Sequence, residues 1–340
     1  MTRAYSTYHM KWIHFGKIKK KINIAEMINK SQASVVHLTH NDFDAVGSDA
    51  IHRLAYGKNN VYTIWASVGA FPSLFEQVSE IDANGKILSI SDLAVRNGLI
   101  PFIKRAKERG WIIHWRDHHR WTNEEIADVR GLVDQLVIAT NQCACGICAQ
   151  TLLPGNPLAT EIAQVVCDYD LWKHADPRSH QLGLVLQRHK NREYIRDLIM
   201  MGIFEDDYVR QEFASITEEM EHAMRKGEKD AVFYNNKYKT IITKNHGYPS
   251  ETAGHLRKKY DSDVEILVSN NGRFSIRSKI PISHLVAREF RGGGHPEASG
   301  GRFLFTFADK LKFILLKKNP HYNLIAQKVE TCAKNVIKNE

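Results

Sequence analysis

Residues 35–49 read VVHLTHNDFDAVGSD, and this stretch decides the fold. Its first five residues are apolar or β-branched apart from one histidine, which predicts a short strand buried on both faces over Val35–Thr39. Polar residues follow, and from Phe43 the apolar residues take helical spacing. A strand that leads through a polar loop into a helix is the repeating unit of an α/β fold.

The same pattern recurs along the first half of the chain, where short apolar runs alternate with polar loops and stretches of helical spacing. Such runs are typical of parallel strands covered by helices. We therefore predict a mainly parallel sheet flanked by helices over residues 31–190, preceded by a basic extension over residues 1–30. The further predicted strands are Val61–Ala66, Lys86–Ile90, Trp111–Trp115 and Gln135–Ala139.

Residues 191–230 are highly charged and helical in spacing, which predicts a helix or helix pair that links two domains. Residues 231–340 predict a smaller α/β unit with a basic helical tail from Ala308. A glycine-rich stretch, Arg291–Gly301, precedes its last strand, predicted over Gly301–Phe307. The other predicted elements are a hairpin of Ala231–Tyr234 with Tyr238–Thr243, helices Ser250–Tyr260 and Ile282–Phe290, and strands Val264–Val268 and Arg273–Ser278.

The composition of this 340-residue chain is that of a globular protein, with 43% hydrophobic and 25% charged residues. Lysines and arginines (47) exceed aspartates and glutamates (38), giving a net charge of +9 that favours nucleic acid, nucleotides or an acidic membrane surface as partners. No apolar run approaches the ~18 residues of a membrane span. Residues 1–29 lack the apolar core of a signal peptide, so we expect a cytoplasmic location.

Five cysteines, an odd number in a long chain, argue against a disulfide framework and for a reducing compartment. Three of them cluster at Cys143, Cys145 and Cys148, a spacing that could contribute metal ligands, although no fourth ligand is evident nearby. The alternative, which we favour, is that they are small buried side chains at the start of a helix that runs to about Leu153.

Aspartates follow three of the predicted strands, where the ligand site of a parallel sheet lies. Asp42 and Asp44 follow the first strand, Asp92 the third and Asp117 the fourth. Each alone could cap the next helix. Together in one cleft they would repel one another unless they were protonated or held a cation. Histidines nearby favour a transition metal such as Mn²⁺, Fe²⁺ or Zn²⁺ over Mg²⁺ alone, and paired ions can clamp a phosphoryl group.

These motifs, in their order, resemble those of the DHH phosphoesterase superfamily. Asp117, His118 and His119 match the signature tripeptide, and residues 40–47 (HNDFDAVG) resemble the first motif. Asp92 resembles the second motif, and residues 170–172 (DLW) are similar to the fourth, as it occurs in the nanoRNase (oligoribonuclease) B subgroup. One departure is that His40 lies two residues before the first aspartate rather than four, which is the form found in RecJ-type exonucleases.

Residues 274–278 (FSIRS) and 291–295 (RGGGH) resemble the substrate-binding domain that accompanies the DHH domain, so the resemblance covers about Val35–Phe307. A glycine backbone without Cβ atoms can approach a phosphate closely, and an arginine fork suits a terminal phosphate. A flexible turn is the alternative interpretation of the glycines. By the resemblance, the substrate-binding residues would be Arg277, Ser278, Gly292, Gly293, Gly294 and His295.

The resemblance also implies a two-metal centre with Mn²⁺ as the expected ion and Mg²⁺ or Co²⁺ as substitutes. Asp92 would bridge the two ions, Asp117 would orient a metal-ligating imidazole, and His119 would face the scissile phosphate. His40 could instead be a surface or supporting histidine, and Asp168 competes with Asp170 at the end of a helix that begins near Thr160. The implied metal ligands are His40, Asp42, Asp44, Asp92, His118 and Asp170.

The function implied is a metal-dependent phosphodiesterase that removes mononucleotides from short single-stranded RNA or DNA oligonucleotides. Alternatives with the same site would hydrolyse linear or cyclic dinucleotides, cyclic mononucleotides or adenosine 3′,5′-bisphosphate. A hypothesis of another class is a nucleic-acid-binding protein without catalysis, whose main contact would be the basic tail. The sequence leaves oligomeric state and cleavage polarity open.

Overall fold

The structure is a computed structural model that describes residues 24–96, 98–315 and 319–337, so most of the predicted basic extension lies outside the described residues. The chain divides into two compact units, Met1–Val209 and Arg210–Glu340. The boundary falls inside one helix, Asp207–Lys229, within the segment predicted as a helical linker. Among the described residues, no helix is long and apolar enough to cross a membrane.

The first unit contains a five-stranded, fully parallel sheet, and its strands lie at the predicted positions to within two residues. In spatial order the second strand is followed by the first, third, fourth and fifth. The chain therefore leaves the first strand towards one side and places the third strand on its other side, which opens a crevice at their carboxyl ends. The strands are β1 (Val35–Thr39), β2 (Val61–Trp65), β3 (Ile87–Ser91), β4 (Ile112–Asp117) and β5 (Gln135–Ile138).

Helices cover this sheet, as the buried strands require. The central strands β1 and β3 are almost wholly buried, and Phe75 and Trp115 pack in the core beside them. The helices are α1 (Ile24–Ser31), α2 (Phe43–Tyr56), α3 (Phe71–Ser79), α4 (Ile100–Glu108), α5 (Asn123–Arg130), α6 (Ala144–Leu152), α7 (Pro157–Asp170), α8 (Pro177–Leu186), α9 (Arg192–Ile199) and α10 (Asp207–Lys229), with two short 3-10 helices, Lys58–Asn60 and His189–Asn191.

The cysteine count predicts reduced thiols, and this prediction is wrong for two of the five residues. Cys143 and Cys167 form a disulfide with a Cα–Cα distance of 5.1 Å. They meet because α6 packs against α7, a contact between helices that a count of cysteines cannot reveal. Cys145 and Cys148 are free and buried at the start of α6, where the sequence places small buried side chains.

The second unit contains a six-stranded mixed sheet, in the spatial order β10-β11-β9-β8-β7-β6. Only β7 and β8 pair in parallel among its described strands. The strands are β6 (Val232–Asn235), β7 (Lys239–Lys244), β8 (Val264–Val268), β9 (Arg273–Ser278), β10 (Gly293–Gly294) and β11 (Ala298–Arg302), and the helices are α11 (Pro249–Tyr260), α12 (Ser283–Arg288), α13 (Phe307–Leu315) and α14 (Pro320–Ile337).

The last strand is the one element of this unit that the sequence misplaces. It is predicted over Gly301–Phe307, but β11 spans Ala298–Arg302 and Phe307 begins a helix. From the apolar run that suggests a strand, Phe303 and Phe305 pack on the core, and the Phe303 ring lies 5.0 Å from that of Phe274. Leu304 and Phe307 of the same run are exposed. The glycines, which usually weaken a strand, pair with β9.

Candidate metal centre

The loop after β1 brings three predicted ligands to the carboxyl edge of the sheet. Nδ1 of His40 lies 2.7 Å from Oδ2 of Asp42. The other oxygen of Asp42 accepts a 3.1 Å hydrogen bond from the amide of Ala45 and so caps α2. The helix-cap interpretation of Asp42 and the ligand interpretation are therefore compatible, because one oxygen serves the helix and the other faces the imidazole. Asp44, in the first turn of α2, is buried.

Asp92 follows β3 in a left-handed backbone conformation, with φ of +55°. Its amide donates to the carbonyl of Arg116 on the neighbouring strand, at 3.2 Å. The preceding residue, Ser91, is held by the Thr39 hydroxyl and by the ring of His37, whose Nε2 lies 2.8 Å from the Ser91 hydroxyl. Left-handed backbone is uncommon outside glycine and clusters at functional sites. The buried hydrogen bonds from β1 thus fix the backbone and hydroxyl of Ser91, directly before Asp92.

His118 lies among three carboxylates. Its Nε2 lies 3.3 Å from Oδ1 of Asp92 and 3.7 Å from Oδ2 of Asp44. Its Nδ1 lies 3.6 Å from Oδ2 of Asp170, at the end of α7. These distances exceed a normal hydrogen bond, so the ring is near the carboxylates without being tightly bonded to them.

Asp117 holds the other histidine of the motif. Its Oδ1 lies 2.8 Å from Nδ1 of His119, and its Oδ2 accepts a 2.7 Å hydrogen bond from the indole Nε1 of Trp121. Because Nδ1 is engaged, Nε2 is the ring atom of His119 that can serve chemistry. The sequence predicts that Asp117 orients a metal-ligating imidazole, but the imidazole that it contacts is His119, which the sequence assigns to the phosphate. Trp121 is a contributor that the sequence motifs do not identify.

The two aspartates of α7 have different surroundings. Asp168 accepts hydrogen bonds from the amides of Ala175 and Asp176, at 3.0 and 3.1 Å, and from the hydroxyl of Ser179. It therefore stabilises the turn between α7 and α8. Asp170 instead lies near His118, the position that the DLW motif favours.

Asp44 is fixed by a helix far along the chain. Its two carboxylate oxygens accept hydrogen bonds from the amides of Ala144, at 2.8 Å, and Cys145, at 2.6 Å. These are the first two residues of α6, where unpaired amides and the helix dipole favour an anion. No local pattern could reveal this contact, since about a hundred residues separate its partners.

Three overlapping groups of side chains each bring metal-ligand atoms within 4.8 Å of one another: Asp92 with His118 and His119, His40 with Asp42 and Asp92, and Asp44 with His118 and Asp170. Asp92 and His118 each belong to two groups, which is the arrangement that two ions with a shared ligand require. Oδ2 of Asp92 and Oδ2 of Asp170 are buried and accept no hydrogen bond from any described residue. Buried carboxylate oxygens without partners are costly, so the donor set fits divalent cations.

The protonation of the cluster reflects its crowding. Burial and the neighbouring carboxylates raise the pKa of Asp44 and of Asp92, and raise the pKa of Asp170 to about 6. Although burial acts the other way, contacts with the carboxylates raise the pKa of His40 to about 10 and that of His118 to about 9. Without a cation, protons thus reduce the repulsion among these groups, and a bound cation would replace them.

A second buried charge cluster lies beneath the loop after β1, and the sequence assigns its residues no role. Asp49 is fully buried and lies 3.1 Å from Nδ1 of His37, 2.9 Å from Nε of Arg53 and 3.3 Å from Nη1 of Arg196. The ion pairs hold the pKa of Asp49 well below its usual range, although burial opposes them. Through His37 this cluster connects to Ser91, next to Asp92.

The predicted substrate-binding residues all belong to the second unit. Arg277, on β9, is half-buried and its Nη2 donates a 2.8 Å hydrogen bond to the Ser250 hydroxyl. The hydroxyl of Ser278 is buried against the Ile280 carbonyl and the Ser283 hydroxyl. Ser278 therefore has a structural role, and its substrate contact stays a prediction.

The three consecutive glycines differ in their surroundings. A Cβ atom on Gly292 would lie 2.0 Å from the Gly300 carbonyl oxygen, and one on Gly294, whose φ is +139°, would lie 2.8 Å from that of Ala298. Gly293 is exposed, with no described atom within 4 Å of such a Cβ position. Gly292 and Gly294 thus permit the close approach of β10 and β11, while Gly293 leaves its backbone exposed two residues before His295.

No protein-family model matches the chain. Over 288 residues the chain is 23% identical to oligoribonuclease NrnB of Bacillus subtilis (strain 168), which covers 77% of this chain and 71% of that protein. The fold of this chain is similar to that of a DHH domain from a member of a family of ribosomal proteins (TM-score 0.56, 15% identity, covering 93% of this chain and 89% of that one). It is also similar to exonuclease RecJ bound to manganese (TM-score 0.52, 15% identity, 91% and 93%). The predicted fold class is confirmed.

Proposed function

We propose that the chain, which is similar to NrnB and has the fold of a DHH domain, is a member of the DHH phosphoesterase superfamily and a divalent-metal-dependent phosphodiesterase that releases mononucleotides from short single-stranded oligonucleotides. The observation that carries this proposal is the set of three overlapping ligand groups around Asp92 and His118. A nucleic-acid-binding protein without catalysis would have no need for buried carboxylates that lack hydrogen bonds.

The proposed ions are two Mn²⁺, with Mg²⁺ or Co²⁺ as substitutes. Imidazole and carboxylate ligands together suit Mn²⁺, and a similar fold, that of RecJ, binds manganese. His40, Asp42 and Asp92 would hold one ion, and Asp44, His118 and Asp170 the other, with Asp92 able to reach both. When bound, such ions neutralise a phosphoryl group and activate water at neutral pH.

The remaining chemistry is assigned to residues of the chain. His119, held at Nδ1 by Asp117, would present its Nε2 to the scissile phosphate as a hydrogen-bond donor or as the acid that protonates the leaving oxygen. In the second unit, Arg277 and the backbone near Gly293 and His295 would bind the terminal phosphate of the substrate. Recognition of a terminal phosphate favours oligonucleotides of a few residues over long duplexes.

Product analysis of 5′-labelled RNA tests this function. A series from dinucleotides to about twenty-four nucleotides is incubated with Mn²⁺, with Mg²⁺ and with chelator, and products are separated by chromatography. We expect metal-dependent release of mononucleotides, fastest on the shortest members. Cyclic dinucleotides and adenosine 3′,5′-bisphosphate are tested in parallel. Hydrolysis of dinucleotides alone, or of one of these two compounds alone, would change the proposed substrate but would still support the proposed metal site. If none of these compounds is hydrolysed, the proposal that the chain is a phosphodiesterase is contradicted.

Asp92→Ala and Asp82→Ala form a matched pair for this assay. Asp82 has the same side chain, but it is exposed and paired with Arg109, outside the cluster. Hydrolysis should collapse only in the Asp92 variant. If RNA binding persists there while hydrolysis is lost, catalysis and binding are separated, and equal activity in both variants would remove Asp92 from the mechanism.

A further inference from the structure

The Cys143–Cys167 disulfide joins the two helices that hold one of the three ligand groups. Cys143 is the N-terminal cap of α6, whose next two amides bind the carboxylate of Asp44. Cys167 lies in the last turn of α7, three residues before Asp170. Asp44 and Asp170 share a group with His118. The group formed by His40, Asp42 and Asp92, in contrast, takes no residue from either helix.

A cavity gives access to one of the two cysteines of this disulfide. It has a volume of about 520 Å³, lies beside α6 and α7, and is lined by Cys167. Cys143, by contrast, is fully buried. Gly146 leaves space for the bridge, since a Cβ there would lie 3.1 Å from Sγ of Cys167. A small molecule that entered this cavity would therefore contact Cys167 and not Cys143.

The lining of the cavity suits a small peptide thiol. Its polar side chains are three amides, one lysine, the Thr160 hydroxyl and the Asp168 carboxylate, whose oxygens already accept hydrogen bonds within the turn between α7 and α8. Its size is within the ~300–1,000 Å³ of small-molecule sites. Side-chain amides can pair with peptide groups, and a lysine can pair with a carboxylate. The lining residues that carry this argument are Gln142, Gln150, Gln164 and Lys173.

We propose that Cys143–Cys167 is a thiol–disulfide exchange site, opened at Cys167 by a low-molecular-weight peptide thiol, and that its opening weakens metal binding by Asp44, His118 and Asp170. The thiolate attacks Sγ of Cys167, the Sγ–Sγ bond breaks, and Cys143 leaves as a thiolate that takes a proton. A second thiol attacks the mixed disulfide and releases Cys167. Two small thiols are oxidised to their disulfide, and the protein disulfide is reduced by the same two electrons.

The disulfide affects metal binding indirectly. It includes none of the ligand side chains, but it joins the two helix ends that position Asp44 and Asp170. With it closed, the start of α6, which clamps Asp44, is covalently tied to the end of α7, which carries Asp170. With it open, only packing relates the two carboxylates. Loss of such outer support typically costs about 10–100-fold in metal affinity. This half of the inference rests on the proposed function, whereas the exchange at Cys167 does not.

Thiol mapping tests the exchange. The full chain is equilibrated with glutathione disulfide, then with reduced glutathione, and after each step it is unfolded in denaturant so that buried free thiols can be labelled with a maleimide and located by mass spectrometry. We expect three free thiols in the oxidised chain, at Cys145, Cys148 and Cys332, and five after reduction, with transient glutathione on Cys167. Five free thiols after oxidation, or glutathione on Cys143 instead, would overturn the assignment.

Titration with Mn²⁺, followed by the electron paramagnetic resonance signal of the free ion, tests the coupling. The oxidised chain should bind two ions, and reduction should weaken one of them about tenfold or more. The double variant Cys143→Ser/Cys167→Ser should show the weakened site in both redox states, while Cys332→Ser should respond like the wild type. Equal binding in both states of the wild type would overturn the coupling. Absence of Mn²⁺ binding in either state would instead refute the proposed metal centre.

Discussion

The amide of Cys145 donates a 2.6 Å hydrogen bond to the carboxylate of Asp44, across 101 positions of the sequence. With the bond from Ala144, it uses both oxygens of a buried side chain. A carboxylate held in this way loses little rotational freedom when it binds a metal, because its orientation is already set. The backbone at the start of α6 therefore supports the candidate metal centre, although no side chain of α6 belongs to its three ligand groups.

Asp92→Asn should remove most of the stabilisation that Mn²⁺ gives the protein. A ligand present at about 100 times its Kd adds about 2.7 kcal/mol to the free energy of unfolding for each site. Asp92 belongs to two ligand groups, so its loss affects both. The measurement is Tm by differential scanning calorimetry, with Mn²⁺ and with chelator. The matched variant Asp82→Asn should keep the full shift, and a full shift in Asp92→Asn would argue against its shared position.

Trp121→Phe should lower kcat about tenfold while KM changes less than about twofold. The variant removes the indole N–H that bonds to Asp117, at 2.7 Å, and a hydrogen bond to a charged group contributes about 1.5–3 kcal/mol. The aromatic contact with Trp115 is largely kept. Trp115→Phe is the control, because it also loses an indole N–H, which here donates to the Leu93 carbonyl. An effect of the same size in both variants would indicate general damage.

Arg277→Gln should raise KM about tenfold or more and leave kcat within about twofold. The side chain is proposed to bind a terminal phosphate that takes no part in bond cleavage, and loss of such uniform binding affects KM alone. Steady-state kinetics on a 5′-phosphorylated trinucleotide measures this effect. Arg273→Gln, on an exposed position of the same strand, is the control. An unchanged KM would sink the assigned role of Arg277.

Gly183→Ala should destabilise the protein by about 1–3 kcal/mol, because overpacking forces neighbours to move. A Cβ on Gly183 would lie 2.2 Å from Cε2 of Tyr169, between the two aspartates of α7. Gly254→Ala, on an exposed site of α11 with no described atom within 4 Å of its Cβ position, should instead stabilise by about 0.5–1 kcal/mol. Urea denaturation checks both signs, and the same sign for both would contradict the packing account.

Glu228→Gln should lower Tm by about 2 °C near pH 7, and the difference should vanish as the pH falls. Hydrogen bonds from Lys259, at 2.6 Å, and with His255, at 3.1 Å, lower the pKa of Glu228 from its ordinary 4.5 to about 2. Its charged form therefore stabilises the fold above about pH 5, and this contribution is lost as the pH falls towards 2. Thermal melts across this range measure the effect.

Glu221→Gln is the control for that experiment. Glu221 pairs with Arg225 one helical turn away, and both side chains are more than half exposed. We expect no measurable change in Tm at any pH, since such pairs contribute little. A difference for Glu228→Gln that stays constant with pH would show that packing, rather than charge, is responsible.

Local patterns in the sequence predict the strands and the residues that end them. Short apolar runs locate β1 to β5, and the motifs locate Asp42, Asp92 and His118 at their carboxyl ends. What remains hidden depends on contacts between distant segments. Three contacts depend on how helices and loops pack, which no short stretch of sequence encodes. They are the hydrogen bonds from α6 to Asp44, the disulfide between Cys143 and Cys167, and the contact of Asp117 with His119. The shifted β11 has the same origin, because Phe303 and Phe305 pack on the core of the second unit instead of continuing the strand.

Because of the left-handed backbone of Asp92, selection for stability and selection for hydrolysis should favour different residues at position 92. A residue with a side chain in this conformation costs about 1 kcal/mol, whereas glycine adopts it freely. A screen of random variants for heat resistance alone, in the presence of a chelator, should therefore enrich glycine or asparagine at position 92. A screen for hydrolysis should return aspartate. The position would act as a marker that tells which of the two pressures a population of variants has experienced.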